Sequence, residues 1–446
     1  MKLEYAGVSK ENLKSGISLT ITNTTRQRNI NNIFNKKYSK MLDWLDLPDT
    51  SNALLQRIES YGMYINKKFD NFIVLGIGGS ALGIKMLQNT FIDSLHKDCG
   101  IKVSVCDNID SDCFLSLLNG IKLKKTMFNI ITKSGTTSET LAQMMIVIDR
   151  MKKCKIDYSK HMCITTTKDN ALYKWAMEQN MEVFEIPEGV GGRFSIFSPV
   201  GLLPAAVMKI DIRKMLNGAR KNRENSRVSD ITNLAYTCAH INYTYLQKGL
   251  TNLVIMPYSD RLALVPDFFA QLWAESLGKK VNRDGEVVYT GQSPIKTLGV
   301  TDQHSQLQLY SEGIKDKLIM FISVANSDLD EKITLDLDFA KHLKDTTLKT
   351  LLDYECNSTA YSLTTLDRPN YTIQIDSVNE QSMGELVFFM EMMTAFMGEM
   401  LNIDAYDQPG VELSKIYTKA CLKVKGYENE GKLIKKYSID KKNFSL

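Results

Sequence analysis

The chain has no C-x-x-C pair among its eight cysteines and no H-x-x-H or H-E-x-x-H spacing among its five histidines. The ligand spacings of structural zinc and of zinc hydrolases are therefore missing. No apolar run comes near the roughly 18 residues that a membrane-spanning helix needs. The opening stretch MKLEYAGVSKENL lacks the continuous apolar segment of an export signal, so reduced thiols and a cytoplasmic location are expected. An excess of one charge is also missing. Fifty-five Lys and Arg against 51 Asp and Glu leave a net charge of +4, spread over 446 residues. That bias is too weak to argue for a nucleic-acid or membrane partner. No G-x-x-x-x-G-K-[ST] is present, which disfavours a P-loop nucleotidase.

What is there belongs to the ordinary globular class: 43% of residues are apolar and 24% charged, and the length suggests two or three domains. Residues 1–45 are polar and helix-compatible. From residue 71 short apolar runs appear: Phe72-Ile73-Val74-Leu75, Ile101 to Val105, Met127 to Ile131, Met162 to Thr165 and Val183 to Ile186. Helix-length segments such as Ser138 to Met151 separate them. Strands alternating with helices predict a parallel sheet covered on both faces. The pattern fades near Gly201 and returns with strands at Leu253–Met256 and Leu318–Val324 and a helix over Asp267–Leu277. Glu380 to Leu401 carries Met, Phe and Leu at helical spacing and reads as a core helix rather than a cofactor surface. The expected fold class is α/β, with two α/β/α sandwiches of mainly parallel strands. A helical segment (1–45) packs on the second sandwich, the sandwiches cover 46–208 and 209–410, and a helical tail covers 411–446.

Two loops carry phosphate-type chemistry. The first strand ends in Gly76-Ile77-Gly78-Gly79-Ser80-Ala81, where glycines let backbone approach a ligand and the next helix offers free N–H groups. Gly76-x-Gly78 also fits the start of a dinucleotide fingerprint, with Ala81 at the third position; a plain tight turn explains it equally well. The third strand ends in Thr132-Lys133-Ser134-Gly135-Thr136-Thr137-Ser138-Glu139-Thr140. Thr136 with Glu139 fits a capping box, but a cap needs one hydroxyl and this loop crowds several around one lysine. Several donors plus one cation match a phosphate monoester. Both loops fall at the carboxyl edge of the sheet, where open α/β sheets bind ligands.

Further motifs follow in order: Gly191-Gly192-Arg193-Phe194-Ser195, Gln271-Leu272-Trp273-Ala274-Glu275-Ser276-Leu277-Gly278-Lys279, Thr301-Asp302-Gln303-His304-Ser305-Gln306, and Tyr406-Asp407-Gln408-Pro409-Gly410-Val411-Glu412-Leu413-Ser414-Lys415. Together with the two loops, the set resembles the glucose-6-phosphate isomerase family in its compact bacterial form, over about residues 71–419. The resemblance implies two sugar-isomerase (SIS-type) sandwiches, a homodimer, and reversible conversion of glucose 6-phosphate to fructose 6-phosphate with no cofactor. It implies Glu275 as the base that moves a proton between C2 and C1, and His304 and Lys415 as helpers in ring opening, with the histidine reaching the site of the partner subunit. Arg193 would lie against the enediolate oxygens. Gly79, Ser80, Thr132, Lys133, Ser134, Thr136 and Thr137 would line the phosphate subsite, and Gln408 would orient the sugar. Gly135 departs from the animal pattern S-K-T-F-T-T and leaves the loop geometry open.

The residues themselves also admit plainer explanations. Glu275 could be a surface glutamate paired with Lys279 four residues on. Arg193 could merely bind local carbonyls, and Lys415 could be an ordinary ion-pair partner of Glu412. A related enzyme acting on mannose 6-phosphate or an amino-sugar phosphate, a sugar-phosphate sensor without catalysis, and a nicotinamide-dependent dehydrogenase resting on Gly76-x-Gly78 are the competing readings.

Overall fold

The structure, a computed structural model, describes residues 1–19 and 22–443. Its strands in chain order are β1 (Lys2–Glu4), β2 (Asn71–Leu75), β3 (Lys102–Cys106), β4 (Thr126–Ile131), β5 (Met162–Thr167), β6 (Glu182–Ile186), β7 (Asn252–Pro257), β8 (Lys279–Val281), β9 (Val287–Thr290), β10 (Ser293–Lys296), β11 (Lys317–Val324) and β12 (Asn370–Ile375). One sheet, β3-β2-β4-β5-β6, is parallel throughout. The other, β1-β12-β11-β7-β10, is parallel except for β1, which runs antiparallel on β12 with Leu3 opposite Ile373. β8 and β9 form a separate antiparallel pair.

The period-two geometry of a strand sends alternate side chains to opposite faces, and here both faces are dry. Phe72 and Val74 of β2 point into a large central core, while Ile73 and Leu75 point into an outer one. In β7, Leu253 and Ile255 enter the same central core, while Val254 and Met256 enter a third cluster. The two sheets thus share one apolar interior with a smaller layer outside each. The long helix Glu380–Met400 lies in that interior, with Met383, Phe388, Met392 and Phe396 fully buried. It packs against the helices Ile212–Asn225 and Leu234–Gln247.

The segment expected to be helical over residues 1–45 differs in part. Its α-helix is Asn23–Phe34, capped where the Thr22 hydroxyl accepts from the Thr25 amide, and its beginning is the edge strand β1. Three residues are too few for alternation to register as a strand. The tail folds as two helices, Glu412–Cys421 and Glu428–Asn443. Among the described residues no helix is long and apolar enough to cross a membrane.

The order of the first sheet positions the site. From β2 the chain steps outward to β3, then returns to the other side of β2 as β4. That reversal opens a crevice between the carboxyl ends of β2 and β4, a topological switch point.

One core group is out of place. Glu391 is wholly buried on the Glu380–Met400 helix, and neither carboxyl oxygen has a hydrogen-bond partner among the described residues. Burial drives its pKa well above the usual glutamate value, so it sits protonated. The unfolded chain ionises at lower pH than the folded one, so the group destabilises the fold increasingly as pH rises above the unfolded value. Glu391→Met is expected to raise stability at pH 8 by roughly 1–3 kcal/mol, with the gain shrinking toward pH 4. Urea titrations at the two pH values measure it, and an unchanged or lowered midpoint at pH 8 would contradict the burial argument.

Candidate active site

The crevice is a cleft of about 800 Å³. Its floor comes from the loops after β2, β4 and β6. In the first, Gly78 has φ +60°, a left-handed conformation that suits glycine. A Cβ on Gly79 would lie 2.1 Å from the Gly192 carbonyl oxygen. The first and third loops therefore touch backbone to backbone, and only glycine allows it.

The second loop is built from hydroxyl pairs. Thr132 and Thr137 share a hydrogen bond of 2.8 Å, and Ser134 and Thr136 one of 2.9 Å. The expected capping box between Thr136 and Glu139 is not formed. The helix Ser138–Lys153 is capped at Thr137, whose hydroxyl turns to Thr132 instead of to a helix amide. The first-turn N–H groups are thus left without a side-chain cap, which is the electrostatic condition for holding an anion there. Lys133 donates to the Glu188 carbonyl at 2.9 Å and so ties the second loop to the third. Burial pulls its ammonium pKa below the ordinary lysine value, and the Glu188 carboxylate offsets part of that.

The third loop delivers Arg193, 6% exposed, into the space between the sheets. Its Nη1 donates to Glu275 Oε2 at 3.0 Å and to Gln408 Oε1 at 2.5 Å. Its Nε donates to the Ser276 hydroxyl at 3.1 Å, and Nη2 to the carbonyls of Ala405 and Asp407 at 3.2 and 3.1 Å. Burial lowers the guanidinium pKa, and the carboxylates of Glu275, Asp407 and Asp404 counter the loss. Glu275 stands on the helix Val265–Leu277, whose Phe268, Phe269, Leu272 and Trp273 are buried and anchor it. Its carboxyl is 31% exposed, and Gln271 one turn earlier donates to Oε1 at 3.3 Å. The cleft thus offers a hydroxyl- and amide-lined anion pocket at one end and an arginine-held carboxylate at the other.

The family model of phosphoglucose isomerase matches residues 24–434. This chain belongs to the phosphoglucose isomerase family. It is 43% identical over 410 residues to the glucose-6-phosphate isomerase of Carboxydothermus hydrogenoformans, covering 89% of this chain and 88% of that one. The crystal structure of a hypothetical protein from Thermus thermophilus superposes with a TM-score of 0.86 at 32% identity, over 94% of this chain and 99% of that one. A glucose-6-phosphate isomerase from Chlamydia trachomatis has the same fold at 22% identity, with a TM-score of 0.75 over 86% of this chain and 76% of that one.

Of the residues that the sequence singles out, Gly79, Ser80, Thr132, Lys133, Ser134, Thr137, Arg193, Glu275, Gln408 and Lys415 all line the phosphoglucose isomerase cleft. Thr136 does not; it is exposed behind Ser134. His304 does not either. It is exposed at the end of the short turn Thr301–His304, next to Gln303, which is held by Tyr258 and Glu355. The plain explanation of Glu275 is overturned: Lys279 binds its backbone carbonyl at 2.8 Å, and the carboxylate goes to Arg193. Arg193 both binds local carbonyls and faces the cleft. Lys415 pairs with Glu412 at 2.7 Å while lining the cleft. Sequence reasoning assigns nothing to Gln271 or Glu188, and reads Lys279 only as a possible ion-pair partner of Glu275. Gln271 is findable, because residues four apart share a helix face; the Glu188 contact goes through its carbonyl, which no side-chain pattern marks. Among the described residues no group of three or more His, Cys, Asp or Glu could hold a metal ion.

If the backbone contact at Gly79 shapes the anion pocket, Gly79→Ala should push the first and third loops apart. Inorganic phosphate is then expected to bind at least tenfold more weakly by calorimetry, with the circular dichroism spectrum unchanged. Equal affinity would mean that the loops adjust without loss.

Proposed function

We propose that the chain interconverts glucose 6-phosphate and fructose 6-phosphate, an aldose–ketose isomerisation of glycolysis and gluconeogenesis, and needs no cofactor. The observation that carries this reading is the single cleft in which Glu275, held between Gln271 and Arg193, faces a hydroxyl-rich loop with one half-buried lysine.

Ser80, Thr132, Lys133, Ser134 and Thr137 hold the phosphate, which fixes the sugar chain across the cleft. Ring opening needs a proton moved from the C1 hydroxyl and one delivered to the ring oxygen. Lys415 serves from this chain and His304 from the partner subunit of a homodimer. Glu275 then takes the proton from C2 of the open aldose. The C2–H electron pair forms the C1–C2 double bond, and the carbonyl electrons move onto the C1 oxygen. Arg193 neutralises that developing charge; one such donor contributes roughly 3 kcal/mol of transition-state stabilisation. The C2 hydroxyl passes its proton to the C1 oxygen; Glu275, now protonated, then returns its proton to C1 as the C1–C2 double-bond electrons take it up and the C2 oxygen's electrons form the ketone carbonyl. Gln408, tied to the same Nη1, orients the hydroxyls at the reacting carbons. The division into two sandwiches near residue 208 is part of the same proposal, with the cleft between them.

A coupled assay on fructose 6-phosphate should show turnover that survives chelator. Glu275→Gln is expected to lower kcat by about 10³-fold or more, within the range of general-base catalysis, while the enediolate mimic 5-phospho-arabinonate still binds. Near-normal turnover would remove Glu275 from the role of base. Lys133→Ala should chiefly raise KM, and in the unaltered enzyme KM should rise with pH as the lowered lysine pKa is passed and the cation is lost; a flat KM in both experiments would take Lys133 out of the phosphate subsite. Mixing inactive Glu275→Gln and His304→Ala preparations, with subunit exchange, should restore about a quarter of full activity, because half the dimers are hybrid and each hybrid has one intact site. No recovery in demonstrably exchanged dimers would place the histidine elsewhere.

A further inference from the structure

The proposed reaction leaves one buried cation of the site without a role. Lys279, 6% exposed at its side chain, lies just past the end of the Glu275 helix, where Gly278 closes the last backbone bond onto Ala274. The carbonyl of Glu275 is thus among the last four of its helix, which have no intrahelical partner. The Lys279 ammonium supplies that partner at 2.8 Å. The same ammonium donates to the Asp407 carbonyl at 3.0 Å and pairs with the Asp407 carboxylate at 3.4 Å. Asp407 precedes Gln408, and its carbonyl also accepts from Arg193 Nη2 at 3.1 Å.

Two cations therefore converge on one carbonyl oxygen. A buried lysine beside a buried arginine is costly: burial lowers its pKa first, and the Arg193 charge lowers it further. Such a group leaves the fold unless something fixes it in place. What it fixes here is a geometry: the main chain of the base to the main chain next to Gln408, across two segments 128 residues apart. Both Glu275 and Gln408 then meet Arg193 Nη1. The ammonium itself touches main-chain carbonyls and the Asp407 carboxylate, so it acts on the reaction through its neighbours.

We infer that Lys279 is a positioning residue of the isomerase site: its ammonium locks the carbonyl of Glu275 to Asp407, and so holds the base and Gln408 in register around the reacting carbons. This rests on the isomerase reading of the cleft. Displacing a catalytic group by about an ångström typically costs around a hundredfold in rate.

The test compares the unaltered enzyme with Lys279→Met, which keeps the length and removes the charge, and with Lys279→Arg, which keeps charge and donors. With fructose 6-phosphate, Lys279→Met is expected to lose about a hundredfold in kcat with KM changed less than threefold, since the phosphate loops are untouched. Lys279→Arg should recover at least a tenth of the activity. In heavy water, Lys279→Met should place more solvent deuterium in the product per turnover, because a loosely held base exchanges its proton before returning it. A lowered melting temperature with kcat and deuterium transfer unchanged would overturn the inference and leave Lys279 a purely structural residue. If Lys279→Met does not fold, Lys279→Gln, which is shorter and uncharged but keeps a donor, decides by its deuterium partition: a raised exchange supports the inference and an unchanged one overturns it. Inactivity of the unaltered enzyme would instead overturn the isomerase reading.

Discussion

Arg193 is the point on which the site turns. Its planar fork reaches the base helix through Glu275 and Ser276, and the loop before the tail through Ala405, Asp407 and Gln408. A guanidinium taken out of water loses hydration that can be regained only by saturating its donors. That need draws three segments, far apart in sequence, onto one plane. Lysine could not replace it, since three donors on a point charge do not match five partners held in a flat fork. The missing side chain at Gly79 lets the loop before Arg193 run against its backbone on the way into the interior. The anion pocket and the carboxylate are therefore fixed relative to one another by main-chain packing as well as by side chains.

The sheet order does the coarser work. The step from β2 out to β3 and back to β4 leaves two loops with their N–H-rich ends facing one crevice. Parallel strands buried on both faces hold those ends rigidly, and the shared interior of the two sheets holds the base helix opposite. A cleft assembled in this way requires little reorganisation on binding, and preorganised donors are what stabilise developing charge.

How far the sequence revealed this follows from the same physics. Most central strands are legible because burial on both faces leaves continuous apolar runs, as in Phe72–Leu75 and Leu318–Val324; β12 is the exception, since Asn370, Thr372 and Gln374 interrupt its apolar residues. β1, β8, β9 and β10 are not legible. They are edge or paired strands of three or four residues, and Pro294 even argues against a strand unless it lies at an edge, where it does. The hydroxyl cluster of the second loop marks its chemistry, but its internal pairing is not written in spacing, so the capping box between Thr136 and Glu139 is a false lead. The partner of Glu275 is misread for a related reason. Lys279 stands at i+4, but the helix ends first, and the ammonium goes to an orphan carbonyl instead of to the carboxylate. Main-chain contacts of this kind leave no trace in residue patterns. His304 is the opposite case: its motif is plain in sequence, but in a single chain the side chain is exposed outside the cleft.

The charges around the cleft give the arrangement its logic. Arg193, Lys133 and Lys279 bring three buried or half-buried cations, and burial lowers the pKa of each. Glu275 and Asp407 answer two of them, while Lys133 has the Glu188 carbonyl and the Met41 sulfur at bonding distance together with the weaker pull of the Glu188 carboxylate. Among the described residues the Lys133 ammonium thus has no carboxylate at bonding distance, whereas Arg193 and Lys279 each have one. In the proposed reaction the substrate's phosphate supplies that anion. At the other end, pairing is the better condition for the proposed reaction, in which negative charge leaves Glu275 as it arrives on the substrate oxygen. The charge moves a short way within the reach of one guanidinium, and the cations already in place need not move to meet it.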